Sequence, residues 1–116
     1  MKKQTKYSLT VKLDKECSRI IRQRPCDKCG LIDYDKRQCA HIFSRTYRSV
    51  RWYLDNLLCL CAGCHFWAHK NPILFTEWVR IYLGEIKYEN LKTMATSIRK
   101  WTLVEMEELW QTLKKM

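Results

Sequence analysis

Two cysteine pairs, Cys26-Asp27-Lys28-Cys29 and Cys61-Ala62-Gly63-Cys64, carry the strongest chemical signal in the chain. Thiolates at this spacing sit on one tight turn and reach a common cation, and two such turns complete a closed tetrahedral four-sulfur zinc site. Cys39 and Cys59 are the rival ligands, and Cys59-Leu60-Cys61 leaves the register open, but using either breaks a Cys-x-x-Cys pair. With Cys17 they are expected as buried thiols. All three histidines fall in or beside the same unit: His41 lies between the pairs, and His65 and His69 directly follow the second. Imidazole ligates divalent cations and titrates near neutral pH, so metal-assisted acid–base chemistry is within reach. His65 and His69 are i and i+4, which puts both rings on one helix face.

The elements that must position these groups are read from periodicity and stop signals. Alternating apolar residues over 1–12 predict a short strand or extended arm. A helix is expected from Asp14, as N-cap, to about Arg24, closed by Pro25, with Arg19, Arg22 and Arg24 as candidate phosphate contacts. After the knuckle at 26–30, Asp33 to Lys36 reads as a loop. Gln38 to Phe43 and Arg51 to Leu54 then read as the strands of a hairpin. Its loop, with Arg45, Arg48 and Arg51 around it and Tyr47 and Trp52 beside them, mixes cations and aromatics in the way that grips a sugar-phosphate backbone; Trp52 itself is expected to be buried. Leu57 to Leu60 should bury against the core, and the second knuckle should open the helix holding His65 and His69. Asn71-Pro72 predicts a new helix that closes at Gly84. Another spans about Glu85 to Arg99, and the capping-box sequence Thr102-Leu103-Val104-Glu105 starts the last.

Composition bounds the rest. The net charge is +10 on 116 residues. Residues 1–52 hold fourteen Lys and Arg against five Asp and Glu, whereas residues 53–116 hold eight against seven. A basic amino-terminal half suggests a polyanion partner, DNA above all, and is equally compatible with a solvated basic surface. No apolar run approaches the ~20 residues of a membrane span, and the opening residues show no signal peptide. Seven cysteines, four at metal spacing, fit a reducing cytoplasm better than a disulfide scaffold.

In this order and spacing, His41, Asn56 and His65 resemble the signature of the HNH endonucleases. The steps of 15, 9 and 4 residues from His41 through Asn56 and His65 to His69 are similar to those of colicin-type DNases. The run Cys39-Ala40-His41-Ile42-Phe43-Ser44-Arg45, with Arg51-Trp52, Asn56 and Cys61-Ala62-Gly63-Cys64, is more similar to phage recombination endonucleases of the NinG/Rap type. The resemblance covers about residues 24–72. It implies an α+β fold in one domain, 1–116: a zinc-stapled ββα-metal core, treble-clef-like, with flanking helices and a helical scaffold over 73–116. By the same resemblance the chain is a metal-dependent DNA endonuclease in the cytoplasm of a bacterial host, acting on branched or recombination-intermediate DNA. His41 is then the general base, Asn56 positions it or the hairpin loop, and His65 with His69 holds the catalytic divalent metal. Arg45 orients phosphate. A structural Zn²⁺ occupies the four cysteines, and an apolar stripe on the carboxy-terminal helices allows a homodimer.

One departure matters. Many HNH proteins place an Asp, Glu or His ligand directly before the base histidine, and here that residue is Ala40. An imidazole-rich site without a carboxylate fits Mn²⁺, Ni²⁺ or Zn²⁺ better than Mg²⁺. Plainer roles stay open: His65 as a cap on the knuckle, His69 on a helix surface, Asn56 as a turn former and His41 as a packed strand residue. The alternative function is a zinc-stabilised DNA-binding module with a decayed nuclease site.

Overall fold

The protein, seen in a computed structural model that describes residues 4–116, is an α+β fold of five α-helices around a two-stranded antiparallel sheet. The first helix, α1, runs Lys6–Ile21, with Thr5 and Ser8 forming a capping box at its start. The strand or arm expected over residues 1–12 is therefore helical from Lys6, and residues 1–3 lie outside the described part. Period-2 alternation at Tyr7, Leu9, Val11 and Leu13 was an accident: Leu9, Leu13, Cys17 and Ile21, four apart, form the buried stripe, while Tyr7 and Val11 are exposed. Asp14, expected as the N-cap, sits in mid-helix instead.

The strands are β1 (Arg37–His41) and β2 (Leu57–Cys61), with Cys39 opposite Cys59 and His41 opposite Leu57. The second strand thus lies downstream of the predicted Arg51–Leu54 segment, which belongs to a long connection closed by a 3₁₀ turn at Leu54–Asn56. All five residues of β2 are buried because the sheet is covered on both faces. Leu57 and Cys59 face α1, Trp52 and the last helix, whereas Leu58 and Leu60 face the other way, toward Ala68 and Val79, and Cys61 at the strand's end packs with this second cluster.

Helix α2 (Ala62–Lys70) leaves β2 directly, with Cys61 as its N-cap. It is followed by α3 (Pro72–Leu83), α4 (Glu85–Thr96) and α5 (Leu103–Lys114). Pro72 opens α3, although the Asn71 amide donates back to the Trp67 carbonyl and makes no cap bond. Gly84 joins α3 to α4 at φ 86°, ψ 150°, a region that side-chain-bearing residues rarely enter. α4 ends three residues short of the expected Arg99. The expected capping box at Thr102 is formed. α5 closes on α1: Arg19 donates to the carbonyls of Leu113 and Met116, satisfying the end of the last helix. Among the described residues, no helix is long and apolar enough to cross a membrane.

Candidate functional site

The two Cys-x-x-Cys turns meet. The sulfurs of Cys26, Cys29, Cys61 and Cys64 all lie within 4.8 Å of one another, with Cys29 and Cys61 at 3.6 Å. Ligands at 2.3 Å around a tetrahedral zinc would be about 3.8 Å apart, so this cradle matches a zinc-sized cation. The first turn is docked on β2 through Asp27, whose N–H donates to the Cys59 carbonyl and whose carboxylate accepts from the Cys59 N–H. Backbone N–H groups of Cys29 and Cys64 point at the sulfurs of Cys26 and Cys61. Burial alone would raise the Cys26 thiol, but N–H donors from Cys29, Cys61 and Lys28 outweigh it and bring the pKa to about 6. Burial, and bonds to the neighbouring sulfurs, push Cys64 up. Four thiolates packed this closely need a cation among them. All seven cysteines are free thiols. Of the three outside the cradle, Cys17 and Cys59 are buried and Cys39 is half-buried.

A second group forms beside the sheet. His41 ends β1, and His65 and His69 lie one turn apart on α2; all three line one cleft of ≈ 630 Å³ together with Arg45, Thr46 and Phe75. The Nε2 atoms of His65 and His69 are 3.1 Å apart. Nδ1 of His65 sits 2.7 Å from the Gln38 side-chain oxygen. That oxygen can only accept, so Nδ1 carries the proton and Nε2 presents its lone pair toward His69. Two ring nitrogens at this distance suit adjacent positions on one cation. Among the described residues, no third Cys, His, Asp or Glu joins the pair; the four cysteines are the one cluster of three or more. Ala40, which offers no ligand atom, also lines the cleft.

His41 is half-buried, and burial, followed by the charge of Arg45, depresses its pKa below the ordinary 6.5. Its imidazole is therefore neutral, and able to accept a proton, at neutral pH. Asn56 is fully buried at the end of the 3₁₀ turn Leu54–Asn56. Its oxygen accepts from the Phe43 N–H at 2.8 Å, and its amide donates to the carbonyls of Phe43 and Val50. The backbone carbonyl of Asn56 also accepts from Ile42 N–H. One side chain thus fixes both ends of the 43–50 loop immediately after His41. Asn56→Ala strands three buried or part-buried backbone groups, and we expect it to lower unfolding free energy by roughly 2–4 kcal/mol in urea titration. A loss below about 0.5 kcal/mol would show that the loop is held by other means.

The arginines divide by partner. Arg51 forms a two-pronged pair with Asp14, which also accepts from the Trp52 indole. Burial would raise the Asp14 carboxyl, yet these bonds hold it below its ordinary value. Arg51 is therefore occupied in joining the loop to α1. Arg45 and Arg48 are exposed, and neither has a carboxylate within 4.0 Å among the described residues. The backbone under Arg48 is clamped by the carboxy-terminal part: Trp101 donates to the Arg48 carbonyl and Ser49 to that of Met94. Sequence reasoning did not find Gln38 or Asp14 in these roles. Gln38 sits one strand-period before Ala40 and three before His41, and nothing in its local pattern points to a histidine 27 residues away. Comparison with protein-family models, with curated proteins and with solved structures returned no match.

Proposed function

We propose that the chain is a metal-dependent endonuclease of the HNH type that hydrolyses phosphodiester bonds in DNA. The observation that carries the reading is the common cleft: a neutral, half-buried His41 faces the same space as the His65–His69 pair and Arg45. Phosphodiester hydrolysis needs a base for the attacking water, a positive charge beside the phosphate and help for the leaving oxygen. His41 takes the proton of the water. Arg45 pairs with a non-bridging phosphate oxygen, and Asn56 keeps the loop that carries Arg45 in place. His65 and His69 would hold a divalent cation, which when bound supplies Lewis acidity at the phosphate. Gln38 keeps the His65 ring turned for that task. The nitrogen-only donor set favours Mn²⁺, Ni²⁺ or Zn²⁺ over Mg²⁺. The four cysteines would hold a structural Zn²⁺, and free thiols suit the bacterial cytoplasm. A phage-type role on branched DNA, and a homodimer through exposed apolar residues such as Ile73, Ile81 and Ile86, belong to the same reading.

The test is cleavage of supercoiled plasmid and a synthetic four-way junction in Mg²⁺, Mn²⁺ or EDTA. Cutting in Mn²⁺ that disappears in EDTA is expected, and a preference for the junction would support the branched-DNA assignment. Ala40 and the missing third ligand favour one other reading, a zinc-stabilised DNA-binding module with a decayed nuclease site. DNA binding with no cutting in any metal would select it.

A further inference from the structure

A second cleft, of ≈ 340 Å³, opens beside the catalytic one and shares its walls at Cys39, His41 and Arg45. Its other side is built by α1 and the start of β1: Ser18, Arg22, Arg37 and Gln38. Arg22 and Arg37 are laced together. Arg22 Nε donates to the Arg37 carbonyl at 2.8 Å, and Arg37 Nη1 donates to the Arg22 carbonyl at 3.1 Å. Arg37 Nη2 donates to the Ile32 carbonyl, and the Tyr34 ring lies 4.8 Å from one guanidinium and 5.6 Å from the other.

Two like charges are thus fixed around one aromatic ring by neutral acceptors. Neither has a carboxylate within 4.0 Å among the described residues, whereas Arg19, Arg24 and Arg51 pair with Glu16, Asp27 and Asp14. Two acidic residues do line this cleft. Asp14 is taken up by Arg51 and Trp52, and Asp35, on the 3₁₀ turn before β1, makes no ion pair among the described residues. In addition, Arg37 Nε is buried without a hydrogen-bond partner among the described residues. Holding two guanidiniums together without a counter-charge is unfavourable, and a bound anion with several acceptor oxygens relieves it. Arg45 completes a row of unpaired cations running from this cleft into the one that holds His65 and His69.

We propose that Arg22 and Arg37 form a second phosphate subsite, holding a backbone phosphate of the same nucleic-acid strand whose scissile phosphate lies between His41 and Arg45. The inference rests on the nuclease reading for its ligand. It deepens that reading by assigning the substrate a path: the strand crosses the end of β1, from α1 on one side to α2 on the other. Arg22 and Arg37 are positioning residues in this scheme. They hold strand that is not being cut.

The test compares wild type with Arg22→Gln/Arg37→Gln, and with Arg80→Gln as a control from α3, where Arg80 is paired with Glu85. Affinity for a fluorescent oligonucleotide is measured by anisotropy across a salt series, and cleavage across a range of DNA concentrations. Losing the one phosphate that both arginines hold should flatten the dependence of log affinity on log salt by about 0.7–0.9. The half-saturating DNA concentration should rise while cutting at saturation is kept, and the control should match wild type. If the double variant does not fold by circular dichroism, Arg22→Gln alone tests the same point with a smaller slope change in the same direction. An unchanged slope in a folded variant overturns the subsite and leaves the nuclease reading standing. A changed slope in a protein that cuts in no metal keeps the subsite and removes the nuclease. Calorimetric binding of inorganic phosphate lost in the variant, with the DNA slope unaltered, would mark an anion pocket off the DNA path and overturn it. Wild type that binds no DNA at all overturns both.

Discussion

Stripping metal from the four cysteines should cost the protein its fold. The cradle joins the two-stranded sheet to the turn before it and the helix after it, since Cys61 ends β2 and caps α2 while Cys26 and Cys29 belong to the turn docked on Cys59. Structural zinc in small domains contributes an apparent ~10–16 kcal/mol at neutral pH, which is comparable to or larger than the ~5–15 kcal/mol net stability of an ordinary domain. Without the cation, Cys26 is the readily ionised member, at about 6, and burial keeps a proton on Cys64. Loading zinc must expel the protons that remain. Metal affinity is therefore expected to fall as pH falls and the thiols retain their protons. The experiment is thermal melting of protein with measured zinc content, before and after chelator, with Cys61→Ser alongside. Loss of the cooperative transition in both, and protons released on re-addition of zinc, are the expected results. An unchanged melt in zinc-free protein would leave the four cysteines with no structural metal role.

The parts of this arrangement that were legible in the sequence are those fixed by short-range chemistry. A Cys-x-x-Cys turn, the i, i+4 pair His65–His69, Pro72 at a helix start and the Thr102 capping box each depend on neighbours a few residues away, and each is where the spacing put it. The strand was misplaced for a long-range reason. β2 is covered by α1 and α5 on one face and by α2 and α3 on the other, so both alternating sets are apolar and the period-2 signal vanishes. The segment at 51–54 was more strand-like by pattern, because Trp52 is buried and Tyr53 exposed, yet Arg51 and Trp52 turn inward to Asp14. The same contact explains Arg51: its charge is compensated by a residue 37 positions earlier, which no local window contains. Asn56 illustrates both sides. Its place between the histidines marked it for attention, but its three bonds to a loop six to thirteen residues away required the fold.

Replacing His41 by alanine should lower cleavage by about 10²–10⁴-fold while leaving DNA affinity, zinc content and melting behaviour close to wild type. The separation follows from position. His41 is at the end of β1, outside the sulfur cradle, and its ring is only partly buried, so truncation removes the proposed base without opening the core. The pH profile gives an independent reading of the same group. Burial and Arg45 depress the His41 pKa below 6.5, so the neutral, proton-accepting form persists to lower pH than for a free histidine. In wild type, the acidic limb of the rate profile should fall off below 6.5, with activity rising as pH rises through the depressed pKa. Removing the Arg45 charge by Arg45→Gln should move that limb toward higher pH, because one cause of the depression is gone. It should also lower the rate through loss of the phosphate contact. Stability follows the opposite bookkeeping: the folded state resists protonating His41, so this histidine disfavours folding increasingly as pH drops below 6.5 and levels off beneath its folded pKa. His41→Ala removes that penalty, and the variant should be slightly more acid-resistant than wild type even as its activity is lost. A variant that cuts DNA at the wild-type rate would take the base assignment away from His41. The remaining imidazoles, His65 and His69, whose Nε2 atoms lie 3.1 Å apart, would then have to supply both base and ligands.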